Sequence, residues 1–139
     1  MERDAINRWT YRALVVDDEP IVRRRLLLCL NEEGFQCDTA EDGDQALAML
    51  ATSEYDMVVT DLKMPNKHGH ALAVELLKMP DRPLIIVLTA VEDPRMVKDL
   101  MLRGVDDVMH KPVNHESFAA KVKAMVQRRL AHSTDRDSK

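Results

Sequence analysis

The feature that most limits the fold of this chain is a regular alternation of short apolar runs with longer segments of helical periodicity. The apolar runs lie at residues 13–16, 35–39, 57–61, 84–88 and 108–110. Runs with little polar alternation are typical of strands that are buried on both faces of a sheet, whereas the alternating residues 35–39 are typical of a strand nearer a sheet edge. Because a helix between two strands returns the chain to the same end of the sheet, this alternation predicts parallel pairing.

Start and stop signals for five helices separate the predicted strands. Prolines and small polar residues that favour helix starts precede most of the helical segments, and glycines that favour helix ends follow two of them. The predicted helices begin at Pro20, after Asp42, at residue 72, after Asp93 and after Asn114, and the first and fourth end at Gly34 and Gly104. We therefore predict an α/β fold, a doubly wound five-stranded parallel sheet with five helices.

Composition favours a single domain. The chain has 139 residues and a formal net charge of −4, and this acidic balance argues against direct binding of nucleic acid. We predict an N-terminal arm at residues 1–11, a domain at residues 12–130, and a polar tail or the start of a linker at residues 131–139. The apolar runs are far shorter than the ~18 residues that cross a bilayer, so we expect a cytoplasmic protein without membrane insertion.

Polar side chains follow four of the five predicted strands. They are Asp17 and Asp18, Asp61, Thr89 and Lys111. In an open parallel sheet, ligands bind beyond the carboxyl ends of the strands, where these side chains meet. Each residue alone is consistent with a helix cap or a loop, but their joint placement at strand ends favours function. Three carboxylates suit Mg²⁺, and a hydroxyl and an ammonium beside them suit phosphoryl transfer.

Four segments of the chain together resemble the receiver domain of two-component response regulators. They are residues 14–19 (LVVDDE), residues 61–65 (DLKMP) with Gly69, residues 88–90 (LTA), and Lys111-Pro112. Their spacing covers about residues 12–130, and as a set they are highly specific. The resemblance implies a flavodoxin-like, chemotaxis-regulator-like sheet with strand order 2-1-3-4-5. It also implies a signalling phosphoprotein rather than a conventional enzyme, which assists only its own phosphorylation and dephosphorylation.

The resemblance implies a phosphoacceptor and a metal site. Asp61 is then the nucleophile that takes a phosphoryl group from a phosphohistidine and forms an aspartyl phosphate. Asp17 and Asp18 hold Mg²⁺ directly or through water, together with Asp61 and the backbone carbonyl of Lys63.

The resemblance also implies a switch. Thr89, followed by Ala90, binds a phosphoryl oxygen and moves inward. Lys111 pairs with Asp61 and then with the phosphoryl group, and its bond to Pro112 is usually cis in the family. Partner binding then changes on the face formed by the fourth and fifth strands and the fourth and fifth helices.

One position departs from the family pattern, and a second influences how long the phosphoryl group persists. Val108 stands where the family usually carries an aromatic residue, three positions before the lysine, so coupling between Thr89 and a ring cannot operate in its usual form. We expect the output to depend more on backbone shifts after Thr89 and in the fourth helix. Val91 offers no hydrogen bond to orient an attacking water, so we expect slow autodephosphorylation.

The expected partners are a sensor histidine kinase or a histidine phosphotransfer protein, an unknown effector domain or output protein, and a second copy through the fourth helix, fifth strand and fifth helix. No DNA-binding pattern follows residue 130. One alternative function is a Mg²⁺-dependent phosphohydrolase, but Lys63 occupies the position where such enzymes place a second carboxylate. Another is an interaction scaffold that never takes phosphate, which the complete acidic set disfavours.

Two further polar clusters have ordinary interpretations. The pair of His68 and His70 lacks a third ligand, so surface positions are favoured over a metal site. Arg23, Arg24 and Arg25 are consecutive on a helix and point ~100° apart, which favours a solvated helix face.

Overall fold

The computed structural model describes residues 11–63, 69–90 and 93–137, and in these ranges strands and helices alternate as predicted. The strands are β1 (Tyr11–Val16), β2 (Phe35–Ala40), β3 (Met57–Thr60), β4 (Leu84–Thr89) and β5 (Asp107–His110). The helices are α1 (Pro20–Glu32), α2 (Gly43–Thr52), α3 (Gly69–Leu77), α4 (Pro94–Arg103) and α5 (His115–Asp137).

The five strands form one parallel sheet in the order β2-β1-β3-β4-β5, which confirms the predicted fold. The chain moves from β1 outward to β2, and then crosses back to build β3, β4 and β5 on the other side of β1. The direction of winding therefore reverses between β1 and β3. A crevice forms at such a reversal, beyond the carboxyl ends of the two strands.

Two apolar layers enclose the sheet. On one face, Leu14 and Val58 pack with residues of α2, α3 and α4, whereas on the other face Val15 and Val59 pack with residues of α1 and α5. Adjacent residues of one strand thus enter opposite layers, as the strand's two-residue period requires. The double layer explains why β1, β3 and β4 consist of almost uninterrupted apolar residues.

The predicted helix starts and stops are largely confirmed. The carboxylates of Asp42 and Asp93 accept the backbone N–H groups of Gln45 and Arg95, and α4 ends at Gly104, which has φ +109°. Asn114 Oδ1 accepts the backbone N–H of the third residue after it at 2.9 Å.

Two helix limits differ from the prediction. α3 begins at Gly69 rather than at residue 72, since the Gly69 N–H donates to the Leu62 carbonyl at 3.1 Å and the helix starts from that anchored point. α5 continues to Asp137, through most of the segment predicted as a polar tail or the start of a linker, because residues 131–137 contain neither glycine nor proline to end the helix. None of the helices in the described ranges combines the length and apolar character needed to cross a membrane.

Candidate functional site

The site lies at the carboxyl rim of the sheet, where four strands end. Asp17 follows β1, Asp61 follows β3, Thr89 ends β4 and Lys111 follows β5. Asp17, Asp61 and Thr89 are 1%, 7% and 0% exposed, so three polar side chains are buried together at the end of an otherwise apolar sheet. Buried polar groups persist when they are paired.

Lys111 joins the two buried carboxylates. Its Nζ donates to Asp17 Oδ2 at 2.8 Å and to Asp61 Oδ2 at 2.9 Å. Burial lowers the pKa of Lys111, but the hydrogen bonds to the two carboxylates and their charges outweigh burial and leave the pKa above its usual value. The lysine is therefore a fixed cation between two anions.

Both carboxylate oxygens of Asp61 accept hydrogen bonds. Oδ1 accepts the backbone N–H of Leu62 at 2.6 Å and that of Lys63 at 3.3 Å, while Oδ2 accepts Lys111. Burial raises the pKa of Asp61, but hydrogen bonds from Lys111 and from the Thr89 side chain, with the charge of Lys111, bring the net pKa below its usual value. Asp61 is thus an ionised, oriented carboxylate, the form that a nucleophile requires.

Residues 17–19, here called the acidic loop, gather three carboxylates. One oxygen of each of Asp17, Asp18 and Glu19 lies within 4.8 Å of the others. Asp17 Oδ1 also accepts the Glu19 N–H at 2.9 Å, which closes a tight turn within the loop. Asp17 and Asp61 share the single ammonium of Lys111, and Asp18 and Glu19 add two carboxylates in the loop of Asp17. This excess of negative charge and of hard oxygen donors fits a divalent cation such as Mg²⁺.

The structure brings the predicted site residues together with one addition. Asp17 and Asp18 cluster as expected, but the third carboxylate of that cluster is Glu19, whereas Asp61 joins it through the shared Lys111. In the sequence, Glu19 is marked only as the last residue of the LVVDDE segment. Its acidic type directly after two aspartates was the available signal.

The switch residues in the described ranges lie in β4 and β5 or shortly after these strands. Ala90 is exposed just after the buried Thr89, and Val108 is half-buried beside Val87 of β4. The bond between Lys111 and Pro112 is cis, as expected. The expectations for residues 91 and 68 fall outside the described residues.

Three residues make contacts that the sequence does not predict. Arg23 is not part of a solvated face, since its guanidinium donates to the backbone carbonyl of Asp17 at 2.7 Å. Gly69 is the first residue of α3, and the backbone of Asp61 lies directly against it. His70 Nε2 pairs with Asp99 Oδ2 of α4 at 2.9 Å.

Comparisons with known proteins agree with this geometry. Residues 13–123 match the family model of the response regulator receiver domain. The chain is 32% identical over 117 residues to the transcriptional regulatory protein ResD of Bacillus subtilis, and 30% identical over 128 residues to the transcriptional regulatory protein PmrA of Pectobacterium parmentieri. These matches cover 84% and 90% of this chain but 48% and 56% of the relatives, so the chain spans about half the length of the curated relatives it matches.

Solved structures give the same result. The signal receiver domain of a signal transduction histidine kinase from Syntrophus aciditrophicus is 31% identical, with a TM-score of 0.78 over 85% of this chain and 91% of that chain. The receiver domain of the Francisella response regulator 1452 is 27% identical, with a TM-score of 0.79 over 86% and 98%. Such domains are signalling domains rather than conventional enzymes. The chain therefore belongs to the response regulator receiver family of two-component signal transduction.

Proposed function

We propose that Asp61 is the phosphoacceptor of this receiver domain and that its donor is a phosphohistidine of a sensor histidine kinase or a phosphotransfer protein. The observation that carries the proposal is the state of Asp61. It is a buried carboxylate with a pKa below its usual value, held by Lys111 and by two backbone N–H groups. Such a group is ionised at neutral pH and already oriented for attack.

The proposed reaction is a phosphoryl transfer. One oxygen of Asp61 forms a bond to phosphorus while the phosphorus–nitrogen bond of the donor breaks, and the electron pair of that bond leaves with the imidazole, which takes up a proton. The product is an aspartyl phosphate and a neutral histidine. Lys111 and Thr89, which already contact Asp61, then pair with oxygens of the new group.

The acidic loop supports a metal ion in this reaction. As the family resemblance implies, Asp17, Asp18, Asp61 and the backbone carbonyl of Lys63 would hold Mg²⁺, and Glu19 adds a further carboxylate beside them. When bound, Mg²⁺ neutralises negative charge on the transferring phosphoryl group. Without it, the incoming group approaches two buried carboxylates, Asp17 and Asp61, that share one ammonium, and the remaining negative charge repels it.

The proposed output is a change in partner binding on the face formed by β4, α4, β5 and α5. Phosphorylation adds negative charge next to Thr89, at the end of β4. Because Val108 provides no ring to turn inward, the displacement passes through the backbone after Thr89 into α4. The partner on this face is an effector domain, another output protein or a second copy of the chain.

The lifetime of the phosphoryl group also follows from this proposal. With valine at position 91, no polar side chain there orients a water for attack on phosphorus, so autodephosphorylation is slow. A half-life of seconds after removal of the phosphodonor contradicts this expectation.

Phosphorylation is tested by incubation with acetyl phosphate and Mg²⁺, followed by intact-mass measurement. The wild type is expected to gain one phosphoryl group and Asp61→Asn to gain none. Asp44→Asn is the matched control, since Asp44 is an exposed carboxylate on α2, and it is expected to behave as the wild type. An equal adduct on Asp61→Asn, or none on the wild type, refutes the proposal.

The switch is tested by NMR with and without beryllofluoride, which imitates the phosphoryl group. We expect amide shifts to change at Thr89, at Ala90 and along α4. Unchanged shifts in β4 and α4, despite bound beryllofluoride, refute the proposed route of the signal.

A further inference from the structure

The three consecutive arginines of α1 lie in different environments. The Arg23 side chain is only 15% exposed, whereas Arg24 and Arg25 are exposed. Arg23 Nη1 donates to the backbone carbonyl of Asp17 at 2.7 Å, and its Nη2 faces Glu41 Oε1 at 3.8 Å. The guanidinium therefore spans the space between the acidic loop and the end of β2.

Asp17 is held at each of its hydrogen-bonding atoms. Its N–H donates to the Ala40 carbonyl at 3.1 Å, its Oδ1 accepts the Glu19 N–H, and its Oδ2 accepts Lys111. Its carbonyl oxygen accepts Arg23. This last contact is made at the point where β1 has ended and the acidic loop turns into α1, so it fixes the direction in which the loop leaves the sheet.

We propose that Arg23 is a positioning residue for the metal site: through the Asp17 carbonyl it holds the acidic loop in the arrangement that binds Mg²⁺. The inference rests on the proposed function, because it assigns Mg²⁺ to this loop. Arg23 does not contact the transferred group. Its effect on phosphoryl transfer passes through the affinity of the loop for the metal.

The charge of Arg23 and its hydrogen bond to Asp17 should have opposite effects on Mg²⁺ binding, so the direction of the change in affinity tests the inference. A positive charge near three carboxylates weakens the attraction of the loop for Mg²⁺, so removing that charge alone strengthens binding. Loss of the hydrogen bond frees the loop and leaves a partly buried carbonyl unpaired, which weakens binding. If Arg23 positions the loop, its removal weakens Mg²⁺ binding although the site becomes more negative.

The test compares Arg23→Ala with Arg24→Ala, which removes the same charge from the next residue of the same helix. Mg²⁺ affinity is measured by titration of the amide shifts of residues 17–19, without a phosphodonor. Arg23→Ala is expected to bind Mg²⁺ about tenfold more weakly than the wild type, the factor that one hydrogen bond to a partly buried acceptor provides. Arg24→Ala is expected to bind within about twofold of the wild type, on the tighter side.

Arg23→Lys distinguishes the effect of the planar guanidinium from the effect of the positive charge. A lysine keeps the positive charge but cannot span two acceptors with a planar group, so it is expected to restore only part of the affinity. Phosphorylation of Arg23→Ala by acetyl phosphate is expected to return to within about twofold of the wild type at saturating Mg²⁺, because the defect lies in binding the metal. If Arg23→Ala fails to fold, as judged by circular dichroism, Arg23→Lys takes its place in the same comparison.

Arg23→Ala binding Mg²⁺ as tightly as Arg24→Ala overturns the inference. So does a phosphorylation defect that persists at saturating Mg²⁺ with normal metal affinity. Failure of the proposed function is a separate result, since it appears as a wild type that binds Mg²⁺ but takes no phosphoryl group on Asp61.

Discussion

Gly69 offers the most direct test of how the fold places Asp61, the proposed phosphoacceptor. A Cβ at this position would lie 1.7 Å from the Asp61 carbonyl oxygen, 2.7 Å from the Asp61 carbonyl carbon and 2.8 Å from Leu62 Cα. All three atoms belong to the backbone, so no side-chain rotation relieves the overlap. Gly69→Ala must therefore push α3 away from the end of β3, or push Asp61 itself.

The expected loss of stability follows from these distances. Overpacking against backbone costs about 3 kcal/mol, the upper end of the usual range, because nothing flexible can yield. The higher helix propensity of alanine returns up to about 1 kcal/mol. We therefore expect the free energy of unfolding of Gly69→Ala to be about 2 kcal/mol below that of the wild type, as measured in urea.

Gly69→Ala should affect the phosphorylation of Asp61 more strongly than it affects the stability of the fold. The Asp61 carboxylate is held by contacts of 2.6 Å to Leu62 and 2.9 Å to Lys111, and a backbone shift of about 1 Å breaks such contacts. A misplacement of that size lowers a reaction rate by about a hundredfold. We expect this decrease in the initial rate with acetyl phosphate.

Gly104→Ala is the control for the loss of stability alone. Its Cβ would meet Leu77 Cδ2 at an ordinary 3.7 Å, but its φ of +109° strains any residue other than glycine. The variant should lose about 1–2 kcal/mol, and its rate should stay at the wild-type value because it lies before β5, at the opposite end of the sheet from Asp61. The reasoning is refuted if Gly69→Ala is phosphorylated at the wild-type rate, or if both variants lose rate equally.

Three further predictions concern titratable groups. Because folding lowers the pKa of Asp61, its ionisation stabilises the fold above the usual carboxyl pKa, and this stability is lost as the pH falls through the folded value. The stability advantage of the wild type over Asp61→Asn, measured in urea, should therefore shrink from pH 7 to pH 3; parallel curves contradict this. His70→Ala should raise the pKa of Asp99 toward its usual value, because the bond from His70 is the largest cause of its lowering; carboxyl NMR titration checks this, and an unmoved Asp99 counts against the pairing. Burial raises the pKa of Cys29 to about 11 and that of Cys37 to about 12, so both thiols should react with a disulfide reagent at pH 8 far more slowly in the folded protein than in urea; equal rates would contradict their burial.

The sheet and the principal site residues could be predicted from sequence because both depend on local patterns. An apolar run followed at once by a carboxylate or a lysine marks the end of a buried strand. Parallel strands bring all such ends to one rim, so Asp61 and Lys111 could be placed together without knowledge of packing. The structure adds that a single ammonium serves two carboxylates there.

Arg23 and Gly69 could not be placed in this way, because their roles depend on what lies opposite them. Arg23 differs from Arg24 only by its direction around the helix axis, and its acceptor is a backbone carbonyl that carries no sequence signal. The contact of Gly69 with Asp61 depends on how closely α3 approaches β3. The extension of α5 shows a different limit: polar composition predicted a tail, but polar residues without glycine or proline are compatible with a helix.

The position of Lys111 between Asp17 and Asp61 determines when the site forms during folding. Lys111 is 94 residues from Asp17 and 50 residues from Asp61 along the chain, so it reaches them only after β5 has docked at the edge of the sheet. During synthesis Asp17 and Asp61 leave the ribosome before Lys111, so the two carboxylates are at first without the ammonium that pairs with them. Under the proposed function, a nascent or partly folded chain therefore lacks the complete acceptor site, and the site forms only when the last strand joins the sheet.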